Sequence, residues 1–306
     1  MGTSHNLTEP AAPQRAPASS PTPWRIADLL HEASTRLGSP HAAAARLDAE
    51  LLLAQVLHAP RSALIARSGE PIEAAAAQQF MALVARREAG EPLAYLSGER
   101  EFWSLPVRVN PAVLIPRPET ELLVERVLAL LDEAPAAATP AARVADLGTG
   151  SGAIALALAS ARPQWQLTAT DVSAPALELA RSNAARLDLR GIEFLAGSWF
   201  AALGTRRFEA IVSNPPDVAG DDPALRALRF EPALALTPGP SGLEALRQLI
   251  AQAPAHLATG AWLVLEHAAN QAPAVAAALV AGGYARVRCH RDLAGCDRVT
   301  EGCWPR

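Results

Sequence analysis

The residues most suggestive of chemistry surround three alternating glycines, Gly148, Gly150 and Gly152. A short apolar segment that ends on Asp146 and Leu147 precedes them, and an unbroken run of Ala, Leu and Ile follows. This order predicts a buried strand, a tight turn and a helix packed on a sheet. Such a turn gathers backbone N–H groups and the positive end of a helix dipole, and glycines let a ligand lie against the backbone. The segment predicts either a small-molecule site or the tight turn of any doubly wound α/β domain.

A carboxylate after the next predicted strand favours the small-molecule site. Residues 166–170 predict a strand that ends in Asp171, where a carboxylate can accept hydrogen bonds from both hydroxyls of a ribose. The glycine spacing is G-x-G-x-G rather than the G-x-G-x-x-G of dinucleotide sites, and the lysine of a phosphate-binding loop is absent. These features indicate a nucleoside-containing cofactor, and the motif resembles the first motif of class I S-adenosylmethionine-dependent methyltransferases.

A second candidate site follows the predicted strand 208–213, where Asn214, Pro215 and Pro216 stand in succession. A planar amide or amino nitrogen has a delocalised lone pair, so it must be held while it attacks a methyl group. The Asn214 side-chain oxygen and the Pro215 carbonyl can accept both of its N–H bonds, and the prolines stiffen the loop. The alternative is a turn that only ends the strand. Trp199, which follows the strand 192–195, either covers an adenine ring or belongs to the core.

Strands and helices alternate through the second half of the chain, which predicts an α/β fold. The last two predicted strands, 284–290 and 297–302, have no helix between them, so an antiparallel edge hairpin is expected. We therefore predict a mixed sheet of seven strands that is flanked by helices.

The sequence before this sheet predicts three further regions. Residues 1–21 are mostly Ser, Pro, Ala and Thr, which cannot bury enough apolar surface to offset the entropy of ordering, so a disordered tail is expected. Residues 22–90 predict a bundle of four or five short helices separated by Pro and Gly. Residues 91–118 predict a linker that contains a β-hairpin, and residues 119–306 form the larger α/β domain.

Local patterns predict where these elements begin, pack and turn. The first helix is expected to begin at Thr22-Pro23, because Thr caps helices and Pro suits the first helical position. The hairpin is expected to turn at Leu105-Pro106. The second helix is expected to carry four apolar residues at helical spacing: Leu47, Leu51, Ala54 and Leu57.

Composition and charge narrow the functional class. A chain of 306 residues is long enough for two domains, and a formal net charge of −4 gives no basic field for non-specific nucleic-acid binding. No apolar run reaches membrane-spanning length and the N-terminus lacks a signal-peptide core, so a cytoplasmic protein is expected. The three cysteines, Cys289, Cys296 and Cys303, fit neither a disulfide framework nor a metal site and predict thiols in a reducing compartment.

Many segments together resemble the release-factor glutamine N5-methyltransferases of the PrmC/HemK type. The resemblance covers nearly everything after the tail and includes EPLAYLSGEREFWSLPVRVNPAVLIPRPETELLVE, DLGTGSGAIALALA, ATDVSAPALELARSNA, GSWF, SNPP, RFEPALAL, SGLEALRQLI, LVLEHAANQ and DLAGCDRVTEG. It implies a Rossmann-like class I methyltransferase sheet in residues 119–306 and an N-terminal bundle that meets the release factor. It also implies methylation of the Gln in the factor's Gly-Gly-Gln (GGQ) loop, with S-adenosylmethionine as the cofactor.

The resemblance further implies roles for individual residues. Asn214 and Pro215 would hold the reacting amide as catalytic residues, Pro216 and Asp217 would complete the substrate site, and Arg117 would shape its wall together with Glu119. The cofactor would be held by eight residues: Gly148, Thr149, Gly150, Ser151, Gly152, Asp171, Trp199 and Asn214. We also expect a monomer that contacts neither a membrane nor nucleic acid directly.

One residue departs from the family pattern. The family has N-P-P-Y, whose aromatic ring stacks on the planar amide, and this chain has Asp217 in that place. Ala268 is a smaller departure, since the family prefers Gly there. Two alternatives to a protein-glutamine methyltransferase stay open. One is an amino-methyltransferase of nucleic acids, which shares the Asn-Pro-Pro chemistry. The other, suggested by Asp217 alone, is a catalytically impaired protein that binds the cofactor or the release factor without turnover.

Overall fold

The computed structural model describes residues 24–38, 42–132 and 141–305. These residues form two compact units that divide between Glu88 and Ala89. The predicted tail, 1–21, lies outside the described residues. None of the helices in the described part of the chain combines the length and the apolar character needed to cross a bilayer.

The described residues of the first unit form four helices: α1 (Ile26–Leu37), α2 (Ala42–Val56), α3 (Arg61–Ala66) and α4 (Ala74–Glu88). The prediction that α1 begins at Thr22-Pro23 is wrong. Residues 24–25 are extended instead, because Arg25 bridges to Pro71 and the N–H of Ile72 donates to the carbonyl of Trp24 over 2.7 Å. Gly38, in the left-handed conformation, ends α1.

The predicted apolar face of α2 is also wrong. Leu47 and Leu51 are 39% and 37% exposed, whereas the buried side of α2 contains Ala45, Ala49, Leu52, Leu53 and Val56. Apolar residues occupy nearly every side of this helix, so spacing alone does not define one stripe. The small alanines let α1 approach closely, and the larger leucines at 47 and 51 remain outside.

The second unit begins with α5 (Leu93–Ser97) and a hairpin of β1 (Glu99–Phe102) and β2 (Leu105–Arg108). The hairpin turns at Trp103 and Ser104, both with positive φ, and not at Leu105-Pro106. Two left-handed central residues match the twist of a tight two-residue hairpin. Pro106 pairs with Glu101 inside the two-stranded sheet, where every strand is an edge and a missing N–H is tolerated.

The main sheet has seven strands in the order β5-β4-β3-β6-β7-β9-β8, which confirms the predicted fold class. These strands are β3 (Arg143–Leu147), β4 (Gln166–Asp171), β5 (Ile192–Ala196), β6 (Phe208–Ser213), β7 (Leu257–Glu266), β8 (Ala285–Arg291) and β9 (Asp297–Cys303). The first five are parallel, and β9 is antiparallel to both β7 and β8. The helices are α6 (Glu121–Asp132), α7 (Ala153–Ala161), α8 (Ala174–Arg186), α9 (Ala224–Ala227), α10 (Glu244–Gln252) and α11 (Ala272–Ala281).

The sheet order brings the two predicted sites together. From β3 the chain moves outward through β4 to β5, and then returns to place β6 on the other side of β3. Ligands of such sheets bind at the carboxyl ends of the strands where the order reverses. Here β3 ends before Gly148, β4 ends in Asp171 and β6 ends before Asn214.

Candidate functional site

A cavity of about 420 Å³ opens at this switch point, within the range of about 300–1,000 Å³ that is usual for small-molecule sites. One wall is the glycine turn together with Asp171 and Trp199, and another contains Asn214 and Pro216. Two loops, 112–120 and 232–238, and the first turns of α10 complete the lining.

The Asp171 carboxylate organises the glycine turn. Its Oδ2 accepts the N–H of Gly150 over 2.9 Å, and its Oδ1 accepts the N–H of Ser173 over 2.8 Å. Gly150 has a φ of 55° and open space where a Cβ would lie, so the backbone is bare at this point. Each carboxylate oxygen has two lone pairs, so Asp171 keeps acceptor capacity for a ligand beside the turn.

Asp146 stabilises the glycine turn through a hydrogen bond with Thr149. It is 2% exposed, and its Oδ2 accepts the Thr149 hydroxyl over 2.6 Å. Burial raises the pKa of Asp146 to about 7, although the bond from Thr149 and the N–H of Ala155 at the start of α7 both lower it. Asp146 is not a wall of the cavity in the described structure; it holds Thr149 in place from the end of β3.

At two of the glycine positions, a side chain would come too close to a neighbouring residue. A Cβ on Gly148 would lie 3.2 Å from the Trp199 ring. A Cβ on Gly152 would lie 3.2 Å from the Cβ of Ala180 on α8, and Gly152 has a φ of 87°. Within the described residues Gly152 is not part of the cavity lining, so it lets α7 start close against α8 rather than contacting the cavity.

Asn214 faces the cavity across from the glycine turn. Its Nδ2 donates to the Thr120 hydroxyl over 3.2 Å, and both residues line the cavity. Because the amide nitrogen is engaged, the Oδ1 atom is the end of the amide that is free to accept a hydrogen bond from a ligand. The neighbouring Ser213 hydroxyl donates to the carbonyl of Leu147 over 2.6 Å, which joins the ends of β6 and β3.

The residues after Asn214 occupy different places. Pro216 lines the cavity, whereas Pro215 and Asp217 are not among its lining residues in the described part of the chain. The Asp217 carbonyl accepts the Gln271 amide over 2.8 Å. The Asp217 carboxyl lies near Arg298 and the N–H of Ala268, and burial raises its pKa.

A buried carboxyl lies near Thr120. Glu266, at the end of β7, is 8% exposed, and its Oε2 has no hydrogen-bond partner in the described structure. Burial and the nearby charges of Asp217 and Glu119 raise the pKa of Glu266 to about 7, while the hydrogen bond from Thr120 and the charge of Arg298 lower it. This group is more readily protonated than an ordinary glutamate.

An ion pair with Glu231 holds the loop 112–120 in the cavity wall. Arg117 donates to Glu231 Oε1 over 2.5 Å, and Glu231 Oε2 accepts the N–H of Ile115 over 3.0 Å. Arg117 lines the cavity, and Glu119 is not a lining residue in the described structure. The Tyr95 hydroxyl adds a bond of 2.6 Å to the carbonyl of Val113.

The sequence did not single out Thr120, Glu266 or Glu231 as functional residues. Thr120 is adjacent to the predicted wall residues, and the other two lie in the RFEPALAL and LVLEHAANQ segments, so only their position in these motifs could have suggested them. Their partners are far away in the chain, for example 116 residues for Ile115 and Glu231, and no spacing rule covers such contacts.

Comparisons with known proteins agree with this architecture. Residues 28–98 match the family model described as the PrmC N-terminal domain, and residues 120–230 match the methyltransferase small domain. A release factor glutamine methyltransferase of Xylella fastidiosa is 51% identical over 85% of this chain and 94% of its own length. One of Pseudomonas aeruginosa is 48% identical over 87% and 95%.

A solved structure supports the fold independently. The crystal structure of a methyltransferase from Pyrococcus furiosus aligns with a TM-score of 0.51 at 18% identity, and covers 72% of this chain and 100% of that one. The alignments with the two bacterial relatives cover nearly the full length of those proteins, as the family motifs spread along this chain predict. This chain belongs to the release factor glutamine methyltransferase family.

Proposed function

We propose that this protein transfers the methyl group of S-adenosylmethionine to the side-chain amide nitrogen of the Gln in the GGQ motif of peptide chain release factors. The observation that carries the proposal is the placement of Asn214. Its amide nitrogen is bonded to Thr120, its oxygen remains for a ligand, and it lines the same cavity as the glycine turn.

The residues of the first wall fit S-adenosylmethionine. The bare backbone at Gly150 would accommodate the methionine part, Asp171 would accept from the ribose hydroxyls, and Trp199 would offer a ring face for the adenine. When bound, the cofactor supplies a methyl group on a positively charged sulfur, which is an electrophile that needs no metal. Thr149 and Ser151 complete this wall of the cavity.

The second wall fits a planar amide. Asn214 Oδ1 would accept one N–H of the substrate Gln, which restricts the plane of the amide; the Pro215 carbonyl is the second acceptor that the family resemblance implies, although Pro215 does not line the cavity in the described structure. With the amide so held, its nitrogen would face the methyl group that bound S-adenosylmethionine would supply; transfer would leave S-adenosylhomocysteine, and the proton lost from the nitrogen would pass to water. Positioning of this kind contributes to the rate, because a delocalised lone pair attacks productively from one direction only.

The rim of the cavity fits a protein loop. Val172 and Leu234, which are 57% and 63% exposed, both line the cavity at its opening. Exposed apolar side chains at the opening of a site are available for contact with a partner protein. We expect a cytoplasmic monomer that acts on the release factor and does not bind nucleic acid, and a net charge of −4 supports the last point.

The test is a labelled-methyl transfer assay. Purified release factor, the same factor with Glu in place of the GGQ glutamine, and duplex DNA are each offered with S-adenosylmethionine. We expect label on the unaltered factor alone. Label on the DNA, or no label on any substrate, would overturn the proposal.

Two variants locate the chemistry. Asn214→Ala should reduce transfer by at least a hundredfold, because the amide loses its acceptor, and should change the cofactor Kd less than threefold. Asn270→Ala is the matched control, since Asn270 is exposed and lies outside the cavity lining of the described structure. Parent-like transfer by Asn214→Ala would remove Asn214 from the site.

A further inference from the structure

We propose that Gln271 is a positioning residue that joins the two ends of a rim segment, residues 218–241, and so holds the cavity wall that meets the release factor. The inference rests on the proposed function for its consequence, and on hydrogen bonds of the described structure for its cause. Gln271 ends the LVLEHAANQ motif just before α11 and is 8% exposed. It does not line the cavity in the described structure, so it acts through other residues.

The rim segment connects the loop after β6 with α10. Its two ends run side by side: the N–H of Val218 donates to the carbonyl of Leu236 over 3.0 Å, and the N–H of Gly220 donates to the carbonyl of Gly239 over 3.0 Å. The described structure shows which of its residues line the cavity: Pro232, Leu234, Ala235, Thr237 and Pro238.

The Gln271 side chain bonds to both residues that flank the rim segment. Its Nε2 donates to the carbonyl of Asp217 over 2.8 Å and to the carbonyl of Gly242 over 3.2 Å, and its Oε1 accepts the N–H of Ala268 over 3.1 Å. Carbonyls only accept and a backbone N–H only donates, so this orientation of the amide alone satisfies all three partners. We call the two bonds from Nε2 the Gln271 bridge.

Gly242 makes room for the bridge. It has a φ of 72°, and a Cβ there would lie 2.4 Å from the Asp217 carbonyl oxygen and 2.9 Å from Gln271 Nε2. Only a residue without a side chain allows the two backbone segments to come this close. The two ends of the rim segment and the Gln271 amide therefore fit together as one unit.

The bridge holds one end of the cavity wall, and an ion pair holds the other. The stretch 232–241 lies between Glu231, which pairs with Arg117, and the Gln271 bridge. The exposed Leu234 belongs to this stretch. A wall that is already held in place loses less conformational freedom when a partner protein docks, so the partner binds more tightly.

Two variants break the bridge without a large change in side-chain size. The carboxyl of Gln271→Glu can still accept the N–H of Ala268, but it cannot donate to both carbonyls. Gln271→Met has similar length and makes none of the three hydrogen bonds. Gln252→Glu is the matched control, because Gln252 is an exposed residue at the end of α10.

The first measurement separates KM, kcat and cofactor affinity. Both Gln271 variants should raise the KM for the release factor at least tenfold. They should change kcat and the S-adenosylmethionine Kd less than threefold, because other bonds hold Asn214 and the glycine turn. Gln252→Glu should behave as the parent. A cofactor Kd that rises as much as KM, or a loss confined to kcat, would overturn the inference.

The second measurement does not depend on the substrate. Hydrogen exchange followed by mass spectrometry reports on the N–H groups of Val218 and Gly220, which bond across the ends of the rim segment. Their exchange should be at least tenfold faster in Gln271→Glu than in the parent, and unchanged in Gln252→Glu.

A variant on the other side of the bridge tests the same contact. Gly242→Ala should also speed this exchange, because its Cβ displaces the Asp217 carbonyl. Gly260→Ala is the control, since Gly260 has a similar φ of 77° and no described atom lies within 4 Å of a Cβ there. Unchanged exchange in Gln271→Glu and Gly242→Ala would overturn the inference, whereas a parent that methylates no release factor would overturn the proposed function alone.

Discussion

At the residue scale, Asp171 has two roles, of which the sequence indicated only one. It was predicted as a ribose acceptor, and the structure adds two backbone N–H bonds from the glycine turn and from Ser173. The same carboxylate thus shapes the turn and faces the cavity. Substitutions of Asp171 should affect ligand binding through both routes.

We predict that Asp171→Ala weakens S-adenosylmethionine binding by roughly 10- to 100-fold, since hydrogen bonds to a charged group contribute about 1.5–3 kcal/mol. The fold should persist, because Asp171 lies at the end of a strand. Calorimetric titration measures the affinity, and circular dichroism the fold. Asp188→Asn, at an exposed carboxylate that pairs with the exposed Arg190, is the control. Equal affinities of Asp171→Ala and the parent would place the cofactor elsewhere.

At the residue scale, the sequence indicates candidate residues where the chemistry depends on local patterns, and it gives no signal for contacts between distant positions. The glycines, Asp171 and Asn214 were recognisable because each follows a predicted strand, and strand ends meet at one edge of a sheet. The bond from Asn214 to Thr120 joins residues 94 positions apart. No local pattern encodes such a contact, so only the folded structure shows the bond between Asn214 and Thr120.

At the element scale, the strands and helices of the sheet were largely predictable, because apolar runs bounded by turn residues alternate regularly. The wrong predictions concern the hairpin turn and the buried face of α2, where the sequence is compatible with more than one structure. Leu105-Pro106 has the composition of a turn, yet the turn is formed by Trp103 and Ser104 in the left-handed region. In α2, apolar residues on most sides concealed which face packs against α1.

The junction of α7 and α8 supplies a prediction at this scale. Gly152→Ala should destabilise the second unit by at least about 1 kcal/mol more than Gly98→Ala. Both glycines have positive φ, at 87° and 74°, so both substitutions carry backbone strain. Only the Cβ at Gly152 meets neighbours, Ala180 at 3.2 Å and Leu156 at 3.3 Å, whereas none lies within 4 Å of that at Gly98.

Urea denaturation followed by tryptophan fluorescence measures this difference, since five of the six tryptophans belong to residues 89–306. Equal losses for the two variants would mean that α8 moves aside to admit a methyl group. In that case Gly152 would be required for its backbone conformation alone.

At the scale of the whole molecule, burial of carboxyls behind the cavity links stability to pH. Asp146 and Glu266 both have a pKa raised to about 7, with burial as the largest cause. In the unfolded chain their pKa values are near 4. Between about pH 4 and 7 the folded state therefore binds more protons than the unfolded state, and these two groups make stability fall as the pH rises.

We predict that Glu266→Gln removes part of this pH dependence. Subtracting the variant's free energy of unfolding from the parent's at each pH cancels the groups that the two proteins share. The difference should fall by up to about 1.4 kcal/mol per pH unit between pH 5 and 7 and level off above pH 8. Asp217 faces Glu266 from the loop after β6, Glu119 and Thr120 from the turn before α6, and Arg298 from β9.

A second comparison assigns the effect to a specific neighbour. The charge of Asp217 raises the pKa of Glu266, so Asp217→Asn should lower that pKa and move the levelling-off to lower pH. The control is the double variant Asp217→Asn/Glu266→Gln, which measures the remaining dependence without either carboxyl. A parent-minus-variant difference that stays flat from pH 5 to 8 would mean that Glu266 is ionised throughout, and the buried oxygen at the end of β7 would then hold its charge at neutral pH.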